Sequence, residues 1–178
     1  VITFLRDVNE QLAPPQVTQT ILTGLPNIRL EIDREFEEPT DLLQAELILE
    51  QLQSRQRYWQ ERQVLLAEWL KTLTGRAIQL KGSLDRLVER QKVWTATGEA
   101  ARSANAPVQV LQQVDAAIGS LGAVRIPLEV QLKETLDLQA AVAREVSRCE
   151  SMASQIIQSQ QKAVGGLFAR HAPPIWSP

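Results

Sequence analysis

From Leu42 to Trp94 the chain repeats apolar residues at alternating steps of three and four, without an interruption in phase. The series runs Leu42, Ala45, Leu49, Leu52, Gln56, Trp59, Gln63, Leu66, Leu70, Leu73, Ala77, Leu80, Leu84, Leu87, Gln91 and Trp94. Every second member from Ala45 onward is apolar, giving a seven-residue spacing through Leu52, Trp59, Leu66, Leu73, Leu80 and Leu87. A repeat of 3.5 residues held that long requires one continuous helix pressing a narrow seam against a helical partner. At 1.5 Å per residue such a helix would extend roughly 80 Å, against ~11–12 residues for an average globular helix. The feature predicts an elongated spacer or scaffold and builds no pocket for chemistry.

A second stripe of matching length supplies the partner. It runs through Leu111, Val114, Ile118, Leu121, Leu128, Leu132, Val142, Val146, Cys149, Ala153, Ile156, Ala163 and Leu167, with Arg125, Thr135, Gln139 and Gln160 as misfits. Between the stripes, residues 97–106 (TGEAARSANA) are small and polar. Gly98 is placed to end the first helix, and Pro107 to open the next. Gly119, Gly122 and Pro127 predict a kink or break near 119–127. Two equal amphipathic helices and a short connection fold as an antiparallel hairpin.

Ahead of the hairpin, residues 1–40 read as short helices packed at its base, the first ending before Pro14-Pro15 and the second interrupted by Pro26. Residues 1–41 hold three basic and eight acidic side chains. The run Glu31, Asp33, Glu35, Glu37, Glu38, Asp41 reads as a solvated helical face. Thr40 or Asp41 is placed as the N-cap of the long helix. The expected fold class is therefore all-α: an elongated antiparallel helical hairpin or coiled coil over 41–167, short acidic helices over 1–40, and a linker over 168–178.

Composition removes several function classes. The 178 residues carry a net charge of −2, so no basic footprint for nucleic acid is present; Arg55, Arg57, Arg62 and Arg76 read as spread around the helix. One cysteine, Cys149, forbids an internal disulfide and any cysteine-based zinc site, and its stripe position predicts a small core residue. The single histidine, His171, lies in a Pro-rich terminal segment and reads as an exposed linker residue. Glu61–Arg62, Asp85–Arg86 and Glu89–Arg90 read as solvated surface charges. No apolar run reaches the ~20 residues that span a bilayer. The chain opens on Val and reads as an excised part of a longer protein. No catalytic, metal-binding or cofactor-binding residues are expected, and no enzyme. Trp59 and Trp94 occupy seam positions and read as helix–helix contacts, while Trp69 falls one residue before the seam residue Leu70.

The segment Gly166-Leu167-Phe168-Ala169-Arg170-His171-Ala172-Pro173-Pro174-Ile175-Trp176-Ser177 is the most specific string. It resembles the phrase that closes the extracytoplasmic amino-terminal region of large bacterial channels in the mechanosensitive small-conductance (MscS-like) superfamily. There a long helical region ends in Phe, an Arg-plus-polar pair, Pro-Pro and Leu or Ile before Trp, ahead of the first membrane helix. The resemblance extends over most of residues 25–178, through Leu-rich helices with Trp59 early and Trp94 late in the first and a Pro-initiated second helix from Pro107. It implies a non-enzymatic domain on the periplasmic side of the inner membrane, serving osmotic-shock protection. The implied partners are the rest of its own channel, neighbouring subunits and the adjacent membrane. Pro173, Pro174 and Trp176 would form the membrane-proximal joint, a stiff Pro-Pro step beside an interfacial Trp. Two other classes share the helical pattern: a ligand-binding sensor bundle of a membrane receptor, and a coiled-coil interaction module.

Overall fold

A computed structural model describes residues 2–13, 15–37 and 45–171, excluding the side chains of 36–37, 45–49, 163 and 166–171. Thr40, Asp41, Leu42, Pro173, Pro174 and Trp176 lie outside the described residues. So do the side chains of Ala45, Leu49, Ala163, Leu167 and His171. Four helices account for nearly all of the described residues: α1 (Ile2–Leu12), α2 (Gln16–Glu37), α3 (Ala45–Ser103) and α4 (Val108–His171). No strand occurs among the described residues, and α3 and α4 pack against each other, so the chain is an all-α helical hairpin with two N-terminal helices.

The helices run further than their breakers suggest. α2 continues through Pro26, and α4 through Gly119, Gly122 and Pro127. Gly98 does not end α3, which goes on to Ser103. Gly98 is instead a close-approach residue, because a Cβ built there would lie 3.2 Å from Cγ1 of Val114 on α4. The stop falls on Asn105, which takes a left-handed φ of 51°. Around it Ala106 N–H donates to Ala101 O (3.0 Å) and Asn105 N–H to Arg102 O (3.1 Å). That pair of bonds is a Schellman motif with Asn in the position glycine usually holds. Pro107 then accepts from Val110 N–H at 2.9 Å and leads into α4.

The chain divides into two compact units. The first combines Val1–Thr20 with Lys71–Ala140, and so holds α1 and the facing parts of α3 and α4. Its core is Val8 of α1, Leu80 and Leu87 of α3, and Leu121, Val124 and Leu128 of α4, with Phe4, Leu5, Leu84 and Trp94 packed on it. Thr74 accepts from Gln139 (2.8 Å), and Arg102 donates to Asp115 (2.5 Å). These two contacts fix α3 and α4 of this unit as antiparallel.

The second unit combines Ile21–Leu70 with Ala141–Pro178. There α2 turns Ile21, Leu25, Ile28 and Ile32 inward, α3 Leu52, Trp59, Leu66 and Trp69, and α4 Val142, Cys149, Met152 and Ile156. The misfits of the second stripe are resolved individually. Gln160 donates to Gln56 at 3.0 Å, so two polar seam residues satisfy each other. In the first unit Thr135 turns its hydroxyl onto the Gln131 carbonyl at 2.7 Å, and Arg125 faces water beside Glu129.

Trp69 is one of the large aromatics of the second unit, and it packs where α2 has no side chain. A Cβ at Gly24 would lie 2.7 Å from Cη2 of Trp69. Gly24→Ala should therefore destabilise the fold by about 1–3 kcal/mol through overpacking. Gly75→Ala, where a Cβ meets nothing within 4 Å, should stabilise it by about 0.5–1 kcal/mol through helix propensity. Urea denaturation of the two variants checks the opposite signs.

Candidate functional site

The polar groups of α3 are not scattered. Arg55, Arg62, Trp69, Arg76, Ser83 and Arg90 recur every seven residues, three positions after Leu52, Trp59, Leu66, Leu73, Leu80 and Leu87. On a helix, residues three apart lie side by side. This second row faces the N-terminal helices, and reading Arg55, Arg62 and Arg76 as spread around α3 is corrected. Arg57 alone of that group falls outside the row and is exposed.

In the second unit the row meets the acidic side of α2. Arg55 Nε pairs with Glu35 Oε1 at 2.8 Å, and Arg62 Nε with Glu31 Oε2 at 3.3 Å. Tyr58 donates its hydroxyl to Glu31 (2.7 Å) and accepts from Arg62 Nε (3.1 Å). Its ring lies 4.8 Å from the Arg62 guanidinium and meets Trp59 edge-on at 5.2 Å. Burial, followed by the bond to Glu31, holds the Tyr58 phenol above its usual value. The bond to Tyr58 leads in strengthening the Arg62 cation.

The other side of α2 meets α4 through a four-member chain of charges. Arg29 Nε pairs with Glu145 Oε1 (2.9 Å), Glu145 Oε2 accepts from Arg148 Nη1 (3.0 Å), and Arg148 Nη2 bonds Asp33. Glu145 is the buried member, with 3% of its side chain exposed, and both arginines reach it from partly exposed positions. The bond to Asp33 leads in raising the Arg148 guanidinium. Glu31, Asp33 and Glu35 are thus all engaged by arginines. Reading the acidic run as a solvated face is corrected for these three; the side chain of Glu37, and Glu38 and Asp41 altogether, lie outside the described residues. The signal was present in the sequence, since 31 and 35 share one face of a helix while 29 and 33 share another.

In the first unit the same row of α3 meets α1. Arg76 Nη2 donates to the Gln11 and Ala13 carbonyls at 3.3 and 3.4 Å and to Gln131 Oε1 at 3.3 Å. A cation there satisfies carbonyls that the end of α1 leaves without helical partners. Burial lowers the Arg76 pKa from its ordinary value. Ser83 donates to Gln11 Oε1 (2.7 Å) and accepts from Arg86 (3.0 Å), and Arg90 lies 4.3 Å from the Phe4 ring.

These clusters hold helices together and present no reacting constellation. Cys149 is fully buried, and burial followed by the Glu145 charge pushes its thiol up to about 11. A thiol held protonated is a poor nucleophile. Among the described residues no group of His, Cys, Asp and Glu is placed to hold a metal ion. No described helix is long and apolar enough to cross a membrane. Of the sequence-derived joint, Pro173, Pro174 and Trp176 lie beyond the last described residue of α4. Compared with protein-family models, curated proteins and solved structures, the chain gives no significant match to any of them.

The Cys149 environment carries a stability signature. The folded thiol keeps its proton to higher pH than the unfolded one, whose value is 9.0. Between pH 9 and about 11 the folded state therefore binds more protons, and stability falls as pH rises through that window. Cys149→Ala should remove this contribution and flatten the slope of unfolding free energy, by urea denaturation at stepped pH, while the original chain keeps it.

Proposed function

We propose that this chain is the helical extracytoplasmic part of a bacterial MscS-like mechanosensitive channel, a non-enzymatic arm ahead of the first membrane helix that modulates gating during osmotic shock. The observation that carries the reading is the string from Phe168 to Trp176, with its Arg170-His171 pair, Pro173-Pro174 and Ile175-Trp176. The helical hairpin supports it, because the resemblance calls for long paired helices in front of that string. The end of α4 supports it further: helix continues to His171, so Pro173-Pro174 follows within two residues.

A mechanical role suits the chemistry of the chain. Its buried and partly buried polar clusters fasten helices to one another. Helices fastened by buried apolar rows transmit displacement, because packed interiors are close to incompressible. A Pro-Pro step passes such displacement on with little slack, since it favours extended polyproline geometry. Trp176 is of the type that anchors at a membrane–water boundary. The partners in this reading are the remainder of the channel, neighbouring subunits and the adjacent bilayer, on the periplasmic side of the inner membrane.

Two results on the full-length protein test the reading. Several apolar spans of about 20 residues should begin shortly after Ser177. Deletion of residues 1–172 should shift the tension at which the channel opens in membrane patches. Absence of such spans contradicts the channel assignment. An unchanged threshold with unchanged assembly and expression contradicts the gating role.

A further inference from the structure

The first unit also carries coiled-coil rows that its own helices leave uncovered. On α4, Ala116, Gly119, Ala123, Ile126 and Val130 follow one another at steps of three and four, and all five are exposed. Ile126 is 68% exposed and Val130 48%. This row lies opposite the buried Leu121, Leu128 and Thr135. An alternation of three and four over four steps is the pattern of a seam that meets another helix.

The outer face of α3 has the same spacing through Lys71, Gly75, Ile78, Gly82 and Asp85. Ile78 is 67% exposed. A Cβ at Gly75 or Gly82 would meet nothing within 4 Å, so neither glycine is required by packing inside the chain. Each nonetheless weakens the helix by roughly 1 kcal/mol relative to alanine.

We propose that these two faces are complementary halves of a contact between copies of this chain, the outer face of α3 on one copy running antiparallel along the outer face of α4 on the next. One register pairs three seam positions of each row with those of the other and sets Gly75 opposite Lys133. It places Ile78 on Val130 and sets Ile126 into the notch at Gly82. Asp85 then faces Ala123, and Lys71 meets Asp137 at the end of the contact. On the flank Lys81 comes beside Glu129, and no like charges are opposed.

Charge supports this arrangement, since Lys71 and Lys81 of one copy each meet a carboxylate of the next. The existing partners of these charges do not oppose docking. Lys81–Asp85, Arg125–Glu129 and Lys133–Asp137 are i,i+4 pairs with side chains between 44 and 77% exposed, a kind worth only a few tenths of a kcal/mol. The inference rests on the surface of the first unit and does not depend on the channel reading.

Disulfide trapping of the full chain tests it. The buried Cys149 leaves the unsubstituted chain as an inert background. Chains bearing Ile78→Cys and chains bearing Val130→Cys are purified separately, mixed, and oxidised with copper–phenanthroline. A disulfide-linked dimer in the mixture, and little in either chain alone, is the expected result, because disulfides form only where Cα atoms approach within about 7 Å. Gly82→Leu in the Ile78→Cys chain, which fills the notch without touching the chain's own core, should lower the yield about tenfold. Dimers of Ile78→Cys alone or of Val130→Cys alone at the yield of the mixture would overturn the pairing, as would a mixture that stays monomeric.

Discussion

The fold depends on α3 being gripped from two directions at once. Leu52, Trp59 and Leu66 in the second unit, and Leu73, Leu80 and Leu87 in the first, form the row that is buried most completely. To one side of it lies the row of Arg55, Arg62, Trp69, Arg76, Ser83 and Arg90, turned to the N-terminal helices. To the other lies the row that includes Gln56 and Leu84, turned to α4. Full burial of each large apolar side chain contributes about 1.5–3 kcal/mol, whereas a partly exposed ion pair contributes about 0–1. The apolar row therefore supplies most of the stability. The arginine row decides which helix lies where: acidic α2 along Arg55 and Arg62, and the carbonyl end of α1 on Arg76.

Much of this was legible in the sequence because α3 and α4 obey a single period. The heptad through Leu52 to Leu87, the all-α class and the core position of Cys149 follow from spacing alone. Three things did not follow. A helix with two partners uses three adjacent rows, and the row carrying arginines reads as polar surface unless its seven-residue recurrence is counted separately. Gly98 and Asn105 exchange the roles that residue type suggests: glycine serves the close approach to Val114, and asparagine takes the left-handed cap. Pro26, Pro127 and the paired glycines 119 and 122 act as breakers in isolated peptides, yet burial of neighbouring apolar residues such as Leu25, Ile28, Leu121 and Leu128 outweighs a penalty of about 3 kcal/mol for proline.

The charged clusters illustrate why a dense set of ionisable side chains need not be a reactive site. Glu145 is buried, but both of its oxygens are taken by Arg29 and Arg148. Cys149 sits one turn further along α4 with its thiol held protonated. A charged group used in this way stabilises the packing of the helices that carry it. The first unit leaves uncovered one row on α4 and one on α3 with coiled-coil spacing, the first mostly apolar and the second mixed. Spacing of that kind is what a helix presents to another helix.

Because the arginine row is held to select the partner helix, reversing one of its ion pairs tests the account most directly. Glu35 and Arg55, 2.8 Å apart, can be exchanged as Glu35→Arg with Arg55→Glu, alongside each single change, and the four chains compared by urea denaturation. Each single variant sets like charges against each other and should lose about 1–2 kcal/mol, with the double exchange recovering most of that loss. Losses in the double variant equal to the sum of the singles would show that the row does not select α2, and would contradict the account.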